Sequence, residues 1–368
     1  MINIDDFVKE LIKNKLTFSA GVPDSLFKNL CFNFEHTFKK NHLVSANEGS
    51  AIGLGIGYHL STKKIPIIYM QNSGLGNSIN PLISLADHKV YSIPLFLIIG
   101  WRGEKDAKFI DEPQHRTQGK VTPQFLKNLG IKYKILSSSS KYKKDIKFLK
   151  NYANKNKKPV ALLIKRNTFE DIKFKKSEKK IFPLREKLLK IILKKLPNKS
   201  NIISTTGIIS REIYENKTKI NNINHFMCVG GMGHAISIAQ GMAKSSKKKI
   251  FCFDGDGALT MHMGSLSTSK KLNNLVHIVF NNFSHESVGG HDNAAKHVKF
   301  YELAKILGYK NSVICKNEKE VLSNIKKSLK SNRNYFIEIL CAKGHRKDIS
   351  RPKETMVYLK NIFMKNFK

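Results

Sequence analysis

Acidic residues are scarce in this chain of 368: Asp and Glu total 28 against 65 Lys and Arg, a formal net charge of +37. An excess of that size raises nucleic acid or an anionic membrane surface as partners. The lysines, however, run along the whole sequence in short clusters such as 173–180, and no aromatic-interleaved basic repeat or DNA-binding motif accompanies them. The excess therefore reads as a Lys-, Asn- and Ile-rich bias on solvated helix faces, with steering of anionic substrates as its functional use. Neither a membrane nor a specific nucleic acid is expected as partner. Long apolar runs are missing as well. The longest, Val90–Trp101, contains Tyr, Ser and Pro and is too short to span a bilayer. The N-terminus, Met1-Ile-Asn-Ile-Asp-Asp6, lacks the basic-then-apolar build of a secretion signal, so a cytoplasmic location is expected. The five cysteines (Cys31, Cys228, Cys252, Cys315, Cys341) are odd in number, scattered and without a CxxC pair. That pattern argues for free thiols in a reducing compartment rather than disulfides or a metal knuckle. Extended low-complexity segments are absent too.

What is present is an ordinary globular composition, 41% hydrophobic, on a chain long enough for two cores. Short apolar runs alternate with helical stretches. The first half offers Leu16–Ala20, Leu43–Ala46, Ile65–Met70, Ile93–Ile99, Tyr133–Leu136 and Val160–Ile164. The second offers Ile202–Thr205, His225–Val229, Ile250–Asp254, Leu275–Phe280, Asn311–Ile314 and Tyr335–Leu340. Six strand candidates per half, separated by helices, predict two parallel α/β sheets. The halves are not alike in sequence, so any likeness is one of architecture. Between them, Arg166 to Pro183 is Lys-rich and poor in apolar periodicity, as a linker would be. The expected domains are 1–165 and 184–368.

Three segments carry chemistry. Gly255-Asp256-Gly257 follows the strand candidate Ile250–Asp254, and Asn281-Asn282 follows Leu275–Phe280. Asp and Asn supply hard oxygen ligands that suit Mg²⁺ holding a diphosphate. The glycines let the backbone approach phosphate at the start of a helix. Asn47-Glu48-Gly49 opens a helix rich in small residues, so Glu48 sits at a strand-to-helix junction; alone it would read as an acid facing the helix dipole. Gly230-Gly231-Met232-Gly233 ends a strand candidate, where Met232 alone would read as core.

Together these segments resemble the cofactor signature of the thiamin-diphosphate enzymes. Further segments narrow the resemblance: Gly21-Val-Pro-Asp-Ser25, Gln71-Asn-Ser-Gly-Leu-Gly-Asn77, Gly100-Trp-Arg-Gly103, Asp111-Glu-Pro-Gln-His115, Thr206-Gly-Ile-Ile-Ser-Arg-Glu212 and His285-Glu-Ser-Val-Gly-Gly290. From end to end the chain resembles the phosphonopyruvate decarboxylase family, which is closely similar to sulfopyruvate decarboxylase, where the two domains are often separate chains. Asp111–His115 and the single chain favour the phosphonate enzyme; His291 stands where the family pattern has Gln.

The resemblance implies a pyrimidine-binding domain at 1–165 and a diphosphate-binding domain at 184–368, with thiamin diphosphate and Mg²⁺ as cofactors. It implies Mg²⁺ ligands at Asp256, Asn282 and the main-chain carbonyl of Ser284. Thr205, Thr206, Gly231, Gly255, Gly257 and Ala258 would line the cofactor, Gly257 and Ala258 through backbone N–H groups alone. Met232 would bend the cofactor, and Glu48 would face its aminopyrimidine. His115 and His285 are the acid–base candidates, whereas His262 and His277 read as core or lining. Asp24, Ser25, Gln71, Asn72 and Arg102 are the substrate-binding candidates, with Arg346 or Arg351 as further cations for the phosphonate. The implied reaction is decarboxylation of 3-phosphonopyruvate to phosphonoacetaldehyde and CO₂ in phosphonate biosynthesis. Sulfopyruvate is the nearest alternative substrate. Carboligation of the acetolactate synthase type needs a further middle domain for which 368 residues leave little room. An anion- or nucleic-acid-binding protein with a dead cofactor site is opposed by intact Glu48, Asp256 and Asn282. At least a homodimer is implied, with each cofactor between the N-terminal domain of one subunit and the C-terminal domain of another.

Overall fold

Runs such as Phe96-Leu-Ile-Ile-Gly100 and Val160-Ala-Leu-Leu-Ile164 are apolar at almost every position, so neither face of the strands they form can meet water. Both are buried throughout, as the central strands of a parallel sheet covered on two sides must be. The computed structural model describes residues 1–104, 111–171, 181–220 and 222–367. The chain divides into two units, Met1–Lys176 and Ser177–Lys368.

In the first unit the strands are β1 (Ser19–Gly21), β2 (His42–Val44), β3 (Ile67–Gln71), β4 (Phe96–Gly100), β5 (Lys132–Leu136) and β6 (Val160–Ile164). They pair in parallel in the order β2-β1-β3-β4-β6-β5. The second unit has β7 (Asn201–Ser204), β8 (Asn224–Met227), β9 (Ile250–Gly255), β10 (Leu275–Asn281), the short hairpin β11 (Ser284–His285) and β12 (His291–Asp292), β13 (Asn311–Cys315) and β14 (Tyr335–Leu340). Its six-stranded sheet is also parallel, in the order β13-β14-β10-β9-β7-β8. Counted from β7 and leaving out the hairpin, that is the order of the first sheet, so the two units share a topology. The fold class is α/β, with helices on both faces of each sheet.

Local sequence explains the helices that matter. Ile4–Lys13 buries Ile4, Phe7, Val8 and Leu11, a stripe at helical spacing, and the Asn3 side chain caps it by accepting from the Asp6 N–H at 3.0 Å. Glu48–Thr62 starts likewise, with Asn47 Oδ1 accepting from the Ser50 N–H at 2.8 Å, and ends at Lys63 in the left-handed region. β4 starts at Phe96 rather than Ile93, because Pro94 has no N–H for the ladder. The helix after Gly255 is only Asp256–Met261 and gives way to a 3₁₀ segment, Met263–Lys271.

Of the segment 166–183, residues 172–180 lie outside the described residues, and with them the whole 173–180 lysine cluster. Before them, Phe169 is buried, packs edge-on against Phe7 at 5.0 Å and belongs to the first core. After them, the Pro183 carbonyl accepts from the Ala342 N–H at 2.9 Å. Among the described residues, no helix is long and apolar enough to cross a membrane.

In each sheet the chain leaves one strand in one direction (β1 to β2, β7 to β8) and its neighbour in the other (β3 to β4, β9 to β10). Such reversals open a crevice at the carboxyl ends of the strands, where α/β folds bind ligands. The residues at or just past these strand ends are Asp24 and Ser25, Gln71 and Asn72, Thr205 and Thr206, and Asp256.

Candidate active site

In the second unit, one cavity gathers Thr205, Thr206, Met232, Gly255, Asp256, Gly257, Ala258, Asn282, Ser284 and His285. Asp256, Asn282 and Ser284 are each at most 5% exposed. The Ser284 N–H donates to both Asp256 Oδ2 (3.2 Å) and Asn282 Oδ1 (3.1 Å), so the two side-chain oxygens converge on one point. Phe283, between Asn282 and Ser284, has φ +57, an uncommon left-handed conformation for a bulky residue. Asn293 Nδ2 and the Gly257 N–H also donate to Asp256, both at 2.9 Å. Burial nevertheless pushes the Asp256 carboxyl up to about 6, because hydrogen bonds alone do not neutralise it. Thr205 Oγ1 and Ser284 Oγ are buried without a hydrogen-bond partner. Hard oxygens, a carboxylate in need of a cation and two unpartnered hydroxyls fit a divalent cation with a phosphate ligand.

His285 stands over the start of the Asp256 helix. A Cβ on Gly257 would lie 2.8 Å from its Nδ1, so only glycine leaves room for the ring. Burial pulls His285 down to about 4; it is neutral at pH 7 and offers a hydrogen bond, not a positive charge. Gly231 is at φ +63 beside the cavity-lining Met232. Arg185 and Glu286 also line the cavity, and sequence reasoning did not single them out. His277 lies fully in the core. Arg346 is engaged by Glu186, Glu215 and Asp348.

In the first unit, Asp24, Ser25, Gln71, Asn72 and Arg102 meet at the carboxyl ends of β1, β3 and β4. Gln71 Nε2 donates to Asp24 Oδ1 at 3.0 Å, and Arg102 Nη1 to Ser25 Oγ at 3.2 Å. Burial raises the proton affinity of Asp24, opposed by Gln71 and Arg102. Asn72 uses both ends of its amide on the Arg102 main chain, accepting at 3.2 Å and donating at 2.9 Å, so it holds the loop that carries Arg102. Arg102 turns its fork to Asp111, at 2.8 and 2.5 Å, a partner that sequence reasoning did not name. Ser25, Lys28, Arg102 and Arg166 line a cleft of about 350 Å³ together with Glu170 and Asp171, and Lys28 is paired with Asp171 at 3.4 Å.

Glu48 is 5% exposed. Burial raises its proton affinity, opposed by Asn77 Nδ2 donating to Oε2 at 2.8 Å. A Cβ on Gly74 would lie 2.4 Å from Glu48 Cγ, so glycine is required there too. His115 lies half-buried on the helix Pro113–Asn128, its Nδ1 without a partner. Burial, then the charge of Arg102, lowers its proton affinity.

Comparison with known proteins agrees with this geometry. Residues 206–339 match the C-terminal TPP binding domain of thiamine pyrophosphate enzymes, and residues 4–127 match the N-terminal TPP binding domain. The chain is 28% identical over 374 residues to a phosphonopyruvate decarboxylase of Streptomyces viridochromogenes, covering 96% of this chain and 92% of that one. It is 25% identical over 376 residues to a sulfopyruvate decarboxylase of Methanosarcina acetivorans, covering 94% and 93%. With the alpha subunit of the sulfopyruvate decarboxylase of Methanocaldococcus jannaschii it shares 34% identity over 151 residues, which are 41% of this chain and 85% of that subunit. The two matched domains define a thiamin-diphosphate enzyme. Within that class, the chain belongs to the decarboxylases of the phosphonopyruvate and sulfopyruvate decarboxylase type, and is a carboxy-lyase.

Proposed function

We propose that the chain catalyses Mg²⁺-dependent decarboxylation of 3-phosphonopyruvate to phosphonoacetaldehyde and CO₂, in phosphonate biosynthesis. The observation that carries the metal is the convergence of Asp256 and Asn282 oxygens on the Ser284 N–H. Asp256, Asn282 and the Ser284 carbonyl hold the cation. Thr205, Thr206, Gly257 and Ala258 would line the diphosphate, Gly231 and Gly255 would line the cofactor beside them, and Met232 would pack against it. Bound thiamin diphosphate supplies the sink for the electron pair left when CO₂ departs.

The chain's own residues do the rest. Glu48, with its raised proton affinity, shares a proton with a ring nitrogen of the aminopyrimidine. Arg102 and the polar groups of Ser25 and Gln71 receive the anionic substrate, with Asp24 behind them and Asp111 holding the guanidinium in place. One proton must reach the carbon that loses CO₂, and His115, with its free Nδ1, is the donor. His285 contributes a neutral hydrogen bond. The protein is a cytoplasmic homo-oligomer of at least two chains, each cofactor served by Glu48 of one chain and Asp256 of another.

The match to a phosphonopyruvate decarboxylase over 96% of this chain supports the phosphonate substrate. The sulfopyruvate decarboxylase match over 94% makes sulfopyruvate the second reading. CO₂ release from both substrates, measured side by side, separates them. The expected result is a kcat/KM for 3-phosphonopyruvate at least about tenfold the higher, a ratio one differently recognised polar group can supply. The reverse ratio assigns the sulfonate.

A further inference from the structure

Asn282 offers a cation only one useful end of its amide. Its Nδ2 donates to Glu286 Oε2 at 2.9 Å, and a carboxylate can only accept, so Oδ1 is turned to the Ser284 N–H and thus toward Asp256. Glu286 is in turn fixed. Arg185 Nη1 donates to the same Oε2 at 2.6 Å, while Arg185 Nε and Nη2 grip Glu212 at 2.9 and 3.0 Å. Arg185 is 4% exposed and Glu212 is fully buried, so the fork cannot swing to another partner. Oε1 of Glu286 accepts from the Gly344 N–H at 2.5 Å and pairs with His345 Nδ1 at 3.2 Å. Both oxygens of Glu286 are thereby held by protein donors.

Given the magnesium site proposed above, we infer that Glu286 is a positioning residue for the metal, the last link of a chain running Glu212–Arg185–Glu286–Asn282. It selects which end of the Asn282 amide meets the cation. The relay also carries two carboxylates against one guanidinium, a negative excess beside the cation. A neutral amide at position 286 could present its own NH₂ to Asn282 and so favour the flipped orientation, with a donor turned to the metal. Outer-shell partners of metal ligands typically change affinity by about 10–100-fold when replaced.

The test is titration of Mg²⁺ by calorimetry on the full chain in a fixed excess of thiamin diphosphate, corrected for Mg²⁺ taken up by the free cofactor. Glu286→Gln is expected to raise the Mg²⁺ Kd by about 10–100-fold. At saturating Mg²⁺ its kcat should return to within about threefold of wild type, because an orienting group acts through occupancy and not in the reaction. A second variant reverses the polarity of the contact. Asn282→Asp places two carboxylates together and should bind Mg²⁺ poorly; adding Glu286→Gln restores a donor–acceptor pair with a carboxylate oxygen toward the cation. The double variant should therefore bind Mg²⁺ at least about tenfold more tightly than Asn282→Asp alone. An unchanged Kd in folded Glu286→Gln overturns the inference, as does a double variant no better than Asn282→Asp. Asp256→Ala separates the two levels. If it too binds Mg²⁺ normally, the metal site itself is wrong; if it loses Mg²⁺ while Glu286→Gln does not, the site stands and only the role of Glu286 falls.

Discussion

Glu48 is buried, faces a single side-chain donor in Asn77 and fills space that only a glycine at position 74 leaves free. Glu48→Gln keeps the shape and accepts or donates one hydrogen bond, but cannot take up and return a proton. Cofactor affinity should stay near wild type while kcat falls by about 10²–10⁴-fold, the range of a lost acid–base group. Hydrogen–deuterium exchange at the cofactor C2 reads the same loss directly; exchange at the wild-type rate would remove the role. Asp256 differs, because its carboxylate is needed for binding. Asp256→Ala should abolish Mg²⁺-dependent cofactor binding, which a thiamin diphosphate titration with and without Mg²⁺ measures. His225 gives a pH prediction. Its Nε2 contacts Ser204 Oγ at 2.7 Å inside the second unit, and burial, then Lys217, pulls it down to about 3. The unfolded chain takes up that proton near pH 6.5, whereas the folded chain refuses it until about pH 3. Above pH 6.5 the group contributes no pH dependence; below it, stability is lost as pH falls. Relative to His225→Gln, wild type should lose about 1.4 kcal/mol of unfolding free energy per pH unit between pH 6 and 4, in urea denaturation.

At the scale of elements, helix Glu48–Thr62 is fixed at its start by the Asn47 cap. Asn47→Ala should cost about 1 kcal/mol of stability and loosen the first turn, which carries Glu48. Denaturant midpoints check the first effect, and a kcat lowered at full cofactor occupancy checks the second. Such elements were legible in the sequence for a physical reason. Strands buried on both faces, such as β4, β6 and β10, are apolar at successive positions and could be read as runs, whereas the edge strands β2, β5 and β13 are only partly buried and showed as shorter ones. The placement of Asp256, Asn282 and Thr205 at the carboxyl ends of strands was legible, because each stands just past an apolar run. The hairpin β11–β12 was not, since two-residue strands have no period to detect. Arg185, Glu286 and Asp111 were not singled out either. Arg185 and Glu286 stand 101 positions apart and are joined only by the fold. Asp111 lay inside a matched motif, where asking which carboxylate answers Arg102 could have found it.

For the whole molecule, the charge of +37 has a kinetic consequence. Raising salt from 0.01 to 0.15 M shortens the screening length from about 30 to about 8 Å, so kcat/KM for an anionic 2-oxo acid should fall by about tenfold while kcat holds. The same charge opposes association of chains, yet the first unit exposes apolar side chains that favour it. Along helix Glu48–Thr62, Leu54 and Leu60 are 37% and 68% exposed, and a Cβ on Gly53 or Gly57 would meet nothing within 4 Å. Ile83, Leu85, Val90 and Tyr91, from 39% to 68% exposed, follow in the same unit. A helix face of small and apolar residues lets another helix approach closely, and an apolar interface can outweigh surface repulsion that salt already screens. Glu48 belongs to the first unit and Asp256 to the second, so assembly can be tested through function. Glu48→Gln and Asp256→Ala proteins, each inactive, are mixed under conditions of subunit exchange. In a homodimer whose cofactors are each served by two chains, a hybrid holds one site with both wild-type residues and one with neither. Equal mixing makes half the dimers hybrid, so activity should return to about a quarter of wild type. Exchange demonstrated by labelled subunits without recovery of activity would mean that each chain serves its own cofactor, and a fully active monomer in sedimentation would mean that no second chain is needed.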